Sequence, residues 1–150
     1  MAEKSKRMQP IVRVADQRER QAAQALGDAR GVAAQQESRL TDLRNYRQEY
    51  VNRFEALGRT GITGAQIREY QRFLDQLDRA ISQQEQTLIK AQQAVDGSKQ
   101  EWVNKNTKAT AIRNVVDRFQ KAEAYSAARS EQKDTDNRRP PQSGLHSETG

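Results

Sequence analysis

The sequence predicts an all-α protein, a long antiparallel two-helix coiled-coil hairpin with a C-terminal helix overhang and a disordered tail. Three observations predict it. Apolar residues recur every 3.5 positions over most of the chain, and one glycine-rich turn interrupts them. The composition, 34% hydrophobic against 31% charged in 150 residues with a mean hydropathy of -1.08, is too polar for a layered core. Paired helices need less apolar material, because each buries only a stripe.

The first helix is expected over about residues 10–57. Stepping 3, 4, 3, 4 from Val12 reaches Ala15, Glu19, Ala22, Leu26, Ala29, Ala33, Gln36, Leu40, Leu43, Arg47, Tyr50, Phe54 and Leu57, and eleven of these fourteen are apolar. Pro10 is placed near the first turn, where its missing N–H costs little.

The turn is expected over 58–64, in "GRTGITG". Gly58, Gly61 and Gly64 permit positive φ there, and Thr60 or Thr63 can cap the second helix. So few residues only reverse the chain.

The second helix is expected over about 65–133. The same walk from Ile67 to Glu123 is apolar at thirteen of seventeen positions with no break in phase. A 3.5-residue repeat held this long marks a coiled-coil seam. A tight turn sets Leu57 opposite Ile67, so Phe54 meets Tyr70, Ala22 meets Trp102, Glu19 meets Lys105 and Met8 meets Val116. Residues 1–133 form the hairpin in this reading, helix two overhangs beyond about Phe119, and the polar 134–150, with its Pro-Pro pair, is a disordered tail.

Little catalytic material is present. The chain has no cysteine and one histidine, His146, in the expected tail, so a thiolate or zinc centre and a histidine-activated nucleophile have nothing to be built from. The reading is a non-enzyme with no catalytic residues, no metal and no cofactor. No apolar run is long enough to span a bilayer, and no secretory signal follows the basic start. The expectation is therefore a cytoplasmic protein, monomeric when free.

The net charge of +6 is uneven. Residues 21–98 carry ten Lys and Arg against ten Asp and Glu, whereas 1–20 carry six against three and 99–139 ten against six. The two terminal segments gather the excess at one end of a hairpin. Their bases, among them Arg13, Arg18, Arg113 and Arg118, are interleaved with acids rather than packed as a groove-reading helix requires, so nucleic acid is not expected as a partner. A basic coiled-coil nucleic-acid binder and a generic scaffold coil stay as alternatives to an interaction protein.

Three residues lie off the seam. With Ile67 as a, Phe73 and Ala80 are g positions, and so is Tyr46 on helix one. In an antiparallel pair the g positions share one flank. Bordered by Leu43, Tyr50, Leu77 and Gln84, they form either an apolar docking shelf or a cover folded over the seam edge.

"LRNYRQEY" at 43–50, "GITGAQIREYQRFLDQLDRAISQQ" after the turn and "EQKDTD" at 131–136 resemble the FliJ family of flagellar type III export proteins, in length and helix layout over about 10–136. The resemblance implies a non-enzymatic coiled-coil stalk of the export apparatus. It would bind a hexameric export ATPase, promote ring assembly, and couple the ring to the export gate and to export chaperones. It would lie at the cytoplasmic face of the inner membrane through its partners. It further implies gate binding by Leu43, Tyr46, Tyr50, Phe73, Leu77, Ala80 and Gln84. ATPase binding is expected at the charged end, through Arg13, Arg18, Arg113 and Arg118.

Overall fold

The computed structural model describes residues 3–138. Two helices account for nearly all of them: α1, Glu3–Gly58, and α2, Gly64–Arg138. Their packing divides into two compact units, a turn unit of Glu19–Asn104 and a terminal unit of Met1–Arg18 with Lys105–Gly150. In each, a stretch of α1 runs antiparallel to a stretch of α2.

The turn unit reverses direction in five residues, with Gly58 and Gly64 both inside helices. Gly61 takes a φ of 103°, a conformation that favours a residue without Cβ. Thr63 and Gln66 close a capping box. The Gln66 N–H donates to Thr63 Oγ1 at 3.2 Å, and the Thr63 N–H donates to Gln66 Oε1 at 2.9 Å, which satisfies two donors that the helix start leaves open. On the other side the Thr60 N–H and hydroxyl both donate to the Leu57 carbonyl, at 3.0 and 2.8 Å.

Every position of both 3.5-residue walks is buried or half-buried except the pair beside the turn. Leu57 and Ile67 are 59% and 41% exposed, because the seam ends there, and Leu57 lines an open pocket beside the turn with Phe54, Ile62 and Tyr70. The buried apolar residues of the turn unit are Ala22, Leu26, Leu40, Leu77 and Ala91. Alanine on facing helices lets the backbones approach closely, so each layer is thin.

Polar residues on the seam mostly find partners across it. Gln84 Nε2 donates to the Gln36 carbonyl and to Gln36 Oε1, at 3.0 and 2.8 Å. Arg47 Nε donates to Asp78 Oδ1 at 2.6 Å, and this bond raises the guanidinium pKa above its ordinary value. Glu19, expected opposite Lys105, accepts a 2.8 Å bond from Trp102 Nε1. Such pairs fix register, since a slip of one heptad would strand each of them. Phe54 and Tyr70, expected to face each other, stack with ring centroids 3.6 Å apart.

The terminal unit is built on Ala15, Ala109 and Val116, with Ser5 as its buried polar residue. Here α1 begins seven residues before the expected start, and Pro10 lies inside the helix. A proline there leaves the Lys6 carbonyl without its helical donor and costs about 3 kcal/mol. Both residues are exposed. Tertiary contacts hold the preceding turns. Glu123 accepts the Ser5 N–H at 3.1 Å and the Ser5 hydroxyl at 2.6 Å, and Lys4 Nζ lies 5.7 Å above the Phe119 ring. Beyond Glu123, α2 continues with exposed residues to Arg138, five residues past the expected end. Part of the expected tail is thus helix; residues 139–150 of it, with His146, lie outside the described residues.

Candidate functional site

The turn unit has two chemically different flanks. Along one, interhelical ion pairs join e positions or reach across from the seam: Arg44 to Glu85 at 3.3 Å and Arg47 to Asp78 at 2.6 Å. Along the other lie the g positions, Tyr46, Phe73 and Ala80. Around Tyr46 the facing g positions of α2 are Phe73 and Ala80, which have no charge to offer an interhelical pair. The sequence reading did not identify the pairs, although their e positions were available to it.

The seven residues expected to dock a gate divide by burial. Leu77 is in the core, 7% exposed. Leu43, Tyr50, Phe73, Ala80 and Gln84 are half-buried, and Tyr46 is 44% exposed. Phe73 is the hinge of the cluster: its ring lies 4.5 Å from that of Tyr50 and 6.2 Å from that of Tyr46, the latter edge-on at 79°. Tyr50 in turn stacks on Tyr70 at 5.4 Å. Phe73 therefore covers the seam edge, and Tyr46 stands outermost on it. Gln84 spends its amide donor on Gln36 across the seam, so it borders the flank as a seam residue.

The four candidate arginines all belong to the terminal unit, and all four are exposed. Arg113 is paired with Asp16 at 3.2 Å. The described residues of this unit carry thirteen Lys and Arg against seven Asp and Glu, whereas the turn unit carries twelve of each. The whole surplus of six positive charges therefore sits in the terminal unit. At this end the Glu123 carboxyl is held below its ordinary pKa, chiefly by the Ser5 hydroxyl.

The sequence reading missed one feature of this unit. Pro10, Ile11, Val14, Ala15 and Ile112 floor a groove of about 290 Å³ edged by Arg18, Lys105 and Lys108. Ile11 at g was the available signal, obscured because Pro10 was read as the helix start. Among the described residues no cluster of three metal-ligating side chains occurs, and no helix is long and apolar enough to cross a membrane.

Against known proteins, residues 4–138 match the family model described as "Flagellar FliJ protein". The chain is 32% identical over 115 residues to a flagellar FliJ protein of Escherichia coli (strain K12), which covers 77% of this chain and 78% of that one. It is 30% identical over 115 residues to a flagellar FliJ protein of Salmonella typhi, with the same coverage.

Proposed function

The chain belongs to the FliJ family of flagellar proteins, and from that premise we propose that it is a non-enzymatic component of the flagellar type III export apparatus. In this reading the terminal unit binds the hexameric export ATPase and promotes its ring assembly. The aromatic flank of the turn unit docks on the cytoplasmic domain of the export gate, and export chaperones are further partners. The protein is cytoplasmic, reaches the inner membrane only through those partners, and is a monomer when free.

The observation that carries this reading is the segregation of charge. A neutral unit with an exposed aromatic edge and a unit holding all of the positive surplus are suited to two different partners. Arg13, Arg18 and Arg118 are the exposed candidate ATPase contacts, and Tyr46 is the most exposed ring of the gate flank.

The test is to mix the full chain with an export ATPase and, separately, with duplex DNA at rising salt. The expected result is a change in ATPase oligomerisation and turnover. Tight DNA binding that falls steeply with salt, with the ATPase unaffected, would support a basic coiled-coil nucleic-acid binder in its place.

A further inference from the structure

We propose that the groove between residues 10–18 of α1 and 105–112 of α2 is a docking site for an amphipathic helix of a protein partner, apolar on its inner face and acidic along its edges. Ile11 and Val14 are 48% and 46% exposed although they stand beside the buried Ala15. Together with Pro10 and Ile112 they leave an apolar floor open to water, an arrangement that is unfavourable unless something covers it. The framing segments span about two helical turns, roughly 12 Å. Two antiparallel helices offer a third helix a trough into which side chains at i, i+3 or i+4, and i+7 can descend.

Charge decides the edges of the occupant. Arg18, Lys105 and Lys108 line the groove, and Arg18 and Lys108 are exposed, as long cationic side chains are when they cover apolar surface with their stems. They lie in the unit that carries the whole positive surplus. Glutamate or aspartate flanking an apolar stripe matches that rim, and lysine repels it. A second copy is disfavoured, since it would bring another basic unit alongside. Nucleic acid is disfavoured because phosphates have no use for an apolar floor. The chain's own end is also unsuited. Leu145, the large apolar residue after Arg138, lies at most about 25 Å of extended chain beyond it, while roughly 39 Å of helix separates Arg138 from Ile112.

The inference rests on the reading of the terminal unit as a binding end, and names the chemistry of what binds there. It is tested on the full chain alone by fluorescence anisotropy of three labelled 18-residue helical peptides. One has leucines on one face and glutamates on both edges, one has the same leucines with lysine edges, and one has the glutamates with alanine for leucine. The glutamate-edged leucine peptide is expected to bind at least tenfold tighter than either control. Ile11→Gln with Val14→Gln, at half-exposed positions that leave the seam intact, should weaken it at least tenfold. Arg18→Glu with Lys108→Glu should reverse the edge preference.

Equal binding of the lysine-edged peptide, or undiminished binding to the Ile11→Gln/Val14→Gln chain, overturns the proposal. So does self-association, or binding to anionic phospholipid vesicles, that this double substitution abolishes, since the groove then serves a second copy or a lipid surface. No ATPase is present in the assay. Peptide binding without ATPase stimulation refutes the ATPase reading and keeps the groove, and the converse result does the opposite.

Discussion

The ring of Phe73 lies 4.5 Å from that of Tyr50, inclined at 56°, so a residue outside the heptad seam is anchored to one inside it. Phe73 thereby carries Tyr46, which meets it edge-on from the solvent side. Truncating the two rings should have different results. Phe73→Ala should cost about 1–2 kcal/mol of stability, less than the value for a fully buried ring. Tyr46→Ala should cost about 0.5–1 kcal/mol, the worth of an edge-to-face pair. Both should weaken binding to the gate's cytoplasmic domain by about 1–3 kcal/mol if this flank is the contact. Urea titration and calorimetry separate the two effects, and unchanged gate affinity in Tyr46→Ala would remove the flank from the interface.

The capping box at the turn predicts a small but definite loss. Thr63→Ala should lower stability by about 1 kcal/mol. Gln66→Ala should lower it by less, and the double substitution by less than the sum of the two, because each residue caps through the other. Denaturant midpoints with unchanged m-values would check this, and additive losses would show that the two bonds act independently.

Gln36 and Gln84 predict a non-additivity of the same sign but larger. Gln84→Leu leaves the half-buried Gln36 amide without its bond from Gln84 and should cost about 1–2 kcal/mol. Gln36→Leu should cost less, since Gln84 keeps its bond to the carbonyl of residue 36, and the double leucine chain should match or exceed the parent in stability. Thermal melts decide it. A double variant less stable than both singles would mean that the amide pair contributes more than its mutual satisfaction.

Ser5 and Glu123 predict an acid-sensitive clasp. Because the bonded carboxylate titrates below its ordinary value, the clasp contributes fully above that ordinary range and is lost as pH falls through the lowered folded value. Protection of the amides of residues 3–9, taken relative to their intrinsic exchange rates, should therefore be high at neutral pH and fall as the pH drops below the ordinary carboxylate range. Glu123→Gln, which cannot titrate, should show a pH-independent and weaker protection. Identical profiles for both chains would place the protection elsewhere.

Charge reversal at the terminal unit should reduce ATPase stimulation. Arg13→Glu, Arg18→Glu and Arg118→Glu together should abolish most of it, and in the parent chain the stimulation should fall with added salt. Arg113→Glu should additionally destabilise the unit slightly, since it removes the ion pair with Asp16 and puts two acids side by side. Full stimulation by the triple variant would direct attention away from this end.

Much of the fold could be read from periodicity, and the reasons for the exceptions are physical. A 3.5-residue walk identifies which residues face the partner helix, and all but Leu57 and Ile67 do so. Those two escape because a repeat carries no information about where the covering helix stops. Pro10 misplaced the start of α1, because a helix-start signal is weaker than a carboxylate on another helix that receives Ser5. The flanks were legible only in part. The aromatic g positions stood out by rarity, while Arg44 and Glu85 looked like any solvated charges until their helices were set side by side. Ile11 and Val14 were hidden by the same proline.

Trp102 is the chain's one tryptophan, and its indole N–H is committed to Glu19 on the facing helix. The molecule thus has an optical reporter for a single layer of the turn unit, with no label introduced. Selective excitation of that indole follows separation of α1 from α2 at this one level. Tyr50 and Tyr70, stacked on each other, and Tyr46, edge-on to Phe73, give a second signal from nearer the turn, over a background from the exposed Tyr125. Two wavelengths in one cuvette then reveal whether the turn unit opens as a whole or peels from one side.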